Sequence, residues 1–163
     1  MRQVFIYSRI IKKILNMVII NKKMFYKSEN IKINAVNKIY KNINTPDDLY
    51  NALLRIWCEY TCAPRMRLNW NYENITLGQC SITAFLAQDI FGGKVYGVPL
   101  DDGENYHCYN FASGLIFDLT SEQFNYKLDY KNNIEQFREK HFLKQEKKLR
   151  YEYLKNELEK LTR

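Results

Sequence analysis

The sequence predicts an α+β fold: a cysteine-bearing central helix packed on a small antiparallel β-sheet, with flanking N- and C-terminal helices. Three observations point there. A helical apolar pattern begins near Cys80 and stops at Gly92-Gly93. Three short β-prone runs follow it, separated by turn residues. A charged stretch then returns to helical spacing through Leu154, Leu158 and Leu161. With 163 residues, 46% hydrophobic and 15% aromatic, the chain has enough apolar material for one domain with a substantial core.

Residues 1–45 read as a basic leader or accessory helical segment, and 46–163 as the domain proper. Val4, Ile11, Leu15 and Val18 fall at roughly helical spacing with basic residues between them. The run ILNMVII (14–20) follows Lys12-Lys13, but no small-residue cleavage site comes after it. It is also far too short to span a bilayer. A membrane-surface helix is one reading. An accessory helix, or an over-long start with Met17 or Met24 as initiator, is preferred, because amphipathic spacing is common in ordinary helices.

Thr45-Pro46-Asp47-Asp48 is a helix start: an N-cap threonine, proline in the first turn, and acids against the positive end of the dipole. That helix is expected to run through Leu49, Leu53, Leu54, Ile56 and Trp57 to about Thr61, with Pro64 ending it. Residues 63–77 are expected to be a loop carrying Trp70. In the next helix, Ile82, Phe85, Leu86 and Ile90 make one apolar face, and Gly92-Gly93 close it. Strands are expected at Lys94–Val98, Tyr106–Ala112 and Leu115–Leu119, the last two joined by a Ser113-Gly114 turn. From Asn132 onward the chain is expected to be helical and to dock on the domain, since its apolar stripe is too short for a coiled coil.

The formal charge of +7 is uneven. Residues 1–45 hold ten Lys/Arg and one acid, 46–125 hold four and ten, and 126–163 hold eleven and seven. The middle of the chain is acidic, which argues against nucleic acid as the main partner, because a nucleic-acid binder places its cations on the working surface. There is no transmembrane segment and no secretory signal, so a cytoplasmic protein with free thiols is expected. Cys58 and Cys62 lie one helical turn apart. With two histidines in the chain and no CxxC pair, neither a metal nor a cofactor is expected.

Cys80 stands where a helix begins. Unpaired N–H groups and the helix dipole there lower a thiol pKa and favour the nucleophilic thiolate. A thiol nucleophile needs a base, and the base needs an orienting group. His141 sits among charges in FREKHFLK and reads as a surface residue, which leaves His107 on a strand. If Ser113-Gly114 is the turn, paired positions sum to 227. His107 then faces Thr120, Asp118 faces Tyr109, and His107 and Asp118 share a face as diagonal neighbours ~7–8 Å apart. Cys80, His107 and Asp118 are therefore the candidate catalytic set. The blander reading is a buried, inert cysteine beside a hydrogen-bonded sheet pair.

The runs NWNYENITLGQCSITAFLAQDIFGGKVY and HCYNFASGLIFDLTSEQF carry more than this spacing. With Trp70, Gly78-Gln79-Cys80, Gln88-Asp89, Gly92-Gly93, His107, Asn110, Asp118-Leu119-Thr120 and Gln123-Phe124, they resemble the bacterial YunG-like family over roughly residues 48–155. Two positions depart from the family pattern: its proline is Ile75 here, and its His-Tyr-Trp run reads His107-Cys108-Tyr109. A Gly-Gln-Cys helix start with His and Asp on adjoining strands is also similar to transglutaminase-like and papain-like thiol enzymes. That likeness implies a cysteine helix against an antiparallel sheet, with Gln79, Trp70 and Asn110 as oxyanion or supporting groups. Gln79 reads either as a side-chain donor or as a structural residue, and the Cys80 backbone N–H as the oxyanion donor. The expected function is thiol-dependent acyl hydrolysis or acyl transfer on a peptide, protein or small amide substrate. The alternative is a catalytically inactive member of the same fold acting as a binding module.

Overall fold

The computed structural model describes residues 25–27, 32–38, 40–101, 103 and 105–163. The expectations for residues 1–24 lie outside these. The architecture is mixed α+β: a four-stranded antiparallel sheet with helices packed against it. Among the described residues, no helix is long and apolar enough to cross a membrane.

Helix α1 (Pro46–Leu53) begins as the sequence dictates. The Thr45 hydroxyl accepts from the Asp48 N–H at 3.2 Å, and the Asp48 carboxylate accepts from the Thr45 N–H at 2.9 Å, a reciprocal capping box. It ends at Leu53, well short of Thr61. Arg55 and Ile56 then tighten into i to i−3 bonds, to the Ala52 and Leu53 carbonyls. The Thr61 hydroxyl then accepts from the Cys58 N–H at 2.9 Å and donates to the Cys58 carbonyl at 2.8 Å, closing a turn where a helical ladder was expected. Pro64 opens a short 3-10 turn (Pro64–Asn69) inside the expected loop.

Helix α2 (Cys80–Phe91) runs through the centre of the molecule. Ile82, Phe85, Leu86 and Ile90 have no solvent exposure. At ~1.5–3 kcal/mol per large apolar side chain, these four together contribute about 6–12 kcal/mol of burial energy. Gly92 ends the helix at φ +70°, and its N–H returns to the Gln88 carbonyl at 2.8 Å. Gly93 follows at φ +75°, where a Cβ would lie 2.1 Å from the Phe111 carbonyl oxygen. Only glycine lets the chain turn so tightly from helix into sheet.

The sheet comprises β1 (Lys94–Pro99), β2 (Tyr106–Ala112), β3 (Leu115–Phe117) and β4 (Ile134–Gln136), in the order β3-β2-β1-β4. Ser113 (φ +52°) and Gly114 (φ +78°) make the two-residue turn between β2 and β3. Ala112 pairs with Leu115 and Asn110 with Phe117, the register expected from the turn. Strand β4 interrupts the stretch expected to be helical from Asn132 onward. Helix α3 (Arg138–His141) and helix α4 (Gln145–Thr162) follow it. Leu154 and Leu158 of α4 are fully buried, and α4 packs on α2 and α1. Arg138 reaches from α3 to the Phe85 carbonyl at 2.9 Å and also pairs with Asp89, whose carboxylate takes the Tyr151 hydroxyl.

Residue alternation gives the sheet two interiors. Cys108, Ala112 and Phe117 join the main core with α2, while Val98, Tyr109 and Leu128 form a smaller cluster on the other face. The described part of residues 25–45 is not helical. Its Phe25, Ile33, Tyr40 and Ile43 are buried in the main core.

Candidate functional site

The sequence places Cys80 at the first position of α2, and a local constraint holds it there. Gly78 has φ +67°, and a Cβ on it would sit 2.7 Å from the Cys62 Sγ. The Ala63 N–H bonds the Gly78 carbonyl at 2.9 Å, locking this corner against the Pro64 turn. Gln79 occupies the N-cap position without capping the helix through its side chain. The N–H groups of the first turn have no intrahelical acceptors.

His107 is on β2, 1% exposed, and its Nε2 lies 2.5 Å from the Asp118 Oδ2. The hairpin register accounts for that contact. Asp118 follows the last residue of β3, on the same sheet face as His107. The carboxylate is also held by three other donors. The Tyr130 hydroxyl donates to Oδ2 at 2.9 Å, while the Thr120 N–H and hydroxyl donate to Oδ1 at 2.9 and 3.1 Å. A buried carboxylate with four donors is fully satisfied and fixed in orientation. With Nε2 directed to Asp118, Nδ1 is the ring nitrogen that the carboxylate does not engage. The ring is braced edge-on by Phe124 at 4.8 Å, and the Gln123 Nε2 stands 3.4 Å from Nδ1.

Cys80 is partly exposed and lies beside His107 and Cys108, close enough for both to act on its ionisation. Those two neighbours point to opposite faces of β2. Strand β3 pairs with β2 only between Asn110 and Ala112, so the His107 end of β2 has no β3 partner. The hydrogen bond from Cys108 lowers the Cys80 pKa, burial opposes it, and the His107 hydrogen bond and charge lower it further; the net result lies well below the ordinary thiol value. Burial pushes His107 down, but the Asp118 charge and hydrogen bond, together with Cys80, outweigh it and raise the imidazole to about 10. The pair therefore favours thiolate and imidazolium. Cys108 moves the other way, raised by the same hydrogen bond and by burial. Cys62 is an internal contrast: burial lifts it to about 11.

The supporting residues lie elsewhere. Gln79 is fully buried, and its Nε2 donates to the Cys58 carbonyl at 3.2 Å, away from the thiol. Of its two expected roles, this position fits the structural one. Trp70 donates to the Ile75 carbonyl at 3.0 Å and steadies the loop before α2. Asn110 donates to the Ala84 carbonyl at 2.8 Å and ties β2 to α2. Among the described residues, no group of three or more His, Cys, Asp or Glu side chains is placed to hold a metal ion.

A cleft of ≈ 390 Å³ opens over Cys80, His107 and Cys108, bounded by the Pro64 turn and the start of α4. His141, expected at the surface, is half-buried and lines this cleft; its Nδ1 lies 3.4 Å from the Lys147 Nζ. Charge density around it in the sequence suggested exposure, but α3 turns the ring onto Phe85, centroids 4.8 Å apart. Tyr130 and Gln123 also belong to the site, Tyr130 through Asp118 and Gln123 beside the His107 ring. Gln123 is three residues beyond Thr120, and its position in the resembling run was the one available signal.

Residues 45–163, more than half of the chain, match the family model described as YunG protein. The uncharacterized protein YunG of Bacillus subtilis (strain 168) is 40% identical over 74 residues, which cover 45% of this chain. The matched region spans 62% of that relative's length. No solved structure matches the chain.

Proposed function

The chain belongs to the YunG protein family, and we propose that it is a thiol-dependent acyl hydrolase or acyl transferase acting on amide or ester bonds. The observation that carries this reading is the buried His107–Asp118 pair in contact with a thiol at a helix N-terminus. The Cys80 thiolate attacks the carbonyl carbon, a C–S bond forms, and the oxyanion develops against the N–H groups at the start of α2. Imidazolium Nδ1–H gives its proton to the departing amine or alkoxide as that bond breaks. Water or an amine then attacks the thioester, His107 takes its proton, and the thiolate leaves. Asp118 holds the imidazole in the required tautomer throughout. The same arrangement of cysteine helix and sheet-borne His and Asp supports the likeness to papain-like and transglutaminase-like enzymes, and reactive free thiols suit a reducing compartment such as the cytoplasm.

An activated ester with a chromogenic leaving group tests the reaction. The expected result is a burst of one leaving group per chain and an acyl mass on the Cys80 peptide, both lost in Cys80→Ala. Acylation spread equally over Cys58 and Cys80, with no burst, would refute it. The second reading, a non-catalytic binding module, draws on a different observation: an aromatic hollow of ≈ 310 Å³ on the far sheet face, lined by Tyr96, Tyr109, Phe111 and Tyr130. A silent Cys80 in the same assay favours that reading.

A further inference from the structure

The cleft above Cys80 is lopsided in charge. It is lined by Arg65, Lys144, Lys147 and Arg150 against one carboxylate, that of Glu146. Arg150 and Glu146 neutralise each other, with Nε donating to Oε2 at 2.9 Å, and the Arg150 Nη1 bonds the Thr61 carbonyl at 3.0 Å. Arg65, Lys144 and Lys147 form no ion pair among the described residues. Arg65 and Lys144 are exposed, whereas Lys147 is partly buried. The neighbour of the Lys147 ammonium is the neutral His141 ring. Burial and the nearby Lys144 charge hold Lys147 below the ordinary lysine range, and the Cys108 and Cys80 thiols lie close enough for their charges to act on it in the opposite direction.

Backbone polarity adds to this. Helix α2 starts at Cys80 and the 18-residue α4 starts at Gln145, and the first residues of both line the cleft. Neither has a side-chain cap. A partly desolvated ammonium without an ion-pair partner is costly, and two helix N-termini beside it increase the positive potential. An anion seated there relieves both.

We infer that the substrate carries a carboxylate next to the bond attacked by Cys80, bound chiefly by Lys147 with Lys144 at the rim. This rests on the reactive-thiol reading given above, and it narrows the substrate class to acidic amides or esters. Lys147 is a positioning and binding residue here, not a proton carrier.

Two alkylating reagents of similar size test it. Iodoacetate carries a carboxylate and iodoacetamide does not. The rate of each at Cys80 is followed by mass spectrometry of its peptide, and their ratio is compared with the ratio for 2-mercaptoethanol in the same buffer. The thiolate fraction cancels in the ratio, so changes in the Cys80 pKa do not disturb it. Unit charges a few ångströms apart in a partly screened cleft give a preference on the order of tenfold for iodoacetate over the free-thiol ratio. Lys147→Gln should bring the ratio to within about twofold of the free thiol, and Lys144→Gln or about 0.5 M salt should lower it partway. If Cys80 reacts readily but shows no iodoacetate preference, the carboxylate inference is wrong while the reactive thiol stands. A preference that survives Lys147→Gln, Lys144→Gln and salt also overturns it. If Cys80 reacts with neither reagent, the thiol reading fails and the inference falls with it. Circular dichroism checks that each variant is folded. Should Lys147→Gln not fold, Lys144→Gln and the salt series decide.

Discussion

Asp118→Asn isolates the charge that sets the ionisation of the site. In the native protein Asp118 raises His107 to about 10, and the resulting imidazolium helps to hold Cys80 as thiolate. The amide keeps the shape of the carboxylate and can still accept from Thr120, so the fold should persist. With the negative charge gone, His107 falls toward its ordinary value, and Cys80 rises toward the free-thiol value of ~8.5. At pH 6.5 a thiol of that pKa is only ~1% ionised. Alkylation of Cys80 by iodoacetamide at this pH should therefore slow by up to about a hundredfold. The greater nucleophilicity of a more basic thiolate offsets much of that loss, leaving roughly three- to tenfold. Near pH 9.5, where both thiols are mostly ionised, the deficit should vanish and the variant should match or exceed the native rate. The assay is the pH dependence of the alkylation rate from about 5 to 10, read at the Cys80 peptide so that the other three thiols do not contribute. An Asp118→Asn profile that overlays the native one would mean that Cys80 owes nothing to the His107–Asp118 pair, and the proposed mechanism would fail.

Two further outcomes follow from the geometry. Burial, then the charges of Lys147, Arg150, Lys144 and Arg138, depress His141 to about 3. A depressed histidine contributes its stability fully above its unfolded value of ~6.5 and loses that contribution as the pH falls toward the folded value. His141→Gln should therefore reduce the loss of stability between about pH 6.5 and 4.5, by at most roughly 2–3 kcal/mol in urea melts; parallel native and variant curves would refute this. A chain beginning at Met24 should melt close to the full-length protein, whereas one beginning at Pro46 loses the buried Phe25, Ile33, Tyr40 and Ile43. At ~1.5–3 kcal/mol for each side chain, that loss is comparable to the whole stability of a typical domain. Equal melting temperatures for the two truncations would show that residues 25–45 contribute nothing to the core.

The local chemistry of the site was legible in the sequence. Ser113-Gly114 fixed the hairpin, and a period of two then put His107 and Asp118 on one face. Thr45-Pro46 and Gly92-Gly93 marked helix ends, because caps and left-handed turns depend on the residues that form them. What escaped was tertiary. Strand β4 is three residues, Ile134-Glu135-Gln136, with no alternating pattern, and it exists because β1 offers an edge. Alternation alone would part Cys108 from His107, yet both act on the ionisation of Cys80. His141 and Lys147 look like solvated charges in a Lys-rich stretch until α3 and α4 turn them over the cleft.

Tyr26 forms a bridge with Asp118, its N–H bonds the Ser121 hydroxyl at 2.9 Å, and its ring stacks on Tyr130 at 4.4 Å. The earliest described residues thus lean on the group that orients His107, while the cleft is closed by residues near position 147. During synthesis, Cys80 is added before His107, Asp118 and Lys147. At about 5–20 residues per second, the interval from Cys80 to Lys147 lasts on the order of several seconds. Throughout that time the cysteine is an ordinary thiol, mostly protonated at neutral pH. On the proposed reading, activation of the thiol waits until both ends of the domain have come together, so a truncated or half-made chain would carry no activated sulfur to be alkylated, oxidised or acylated.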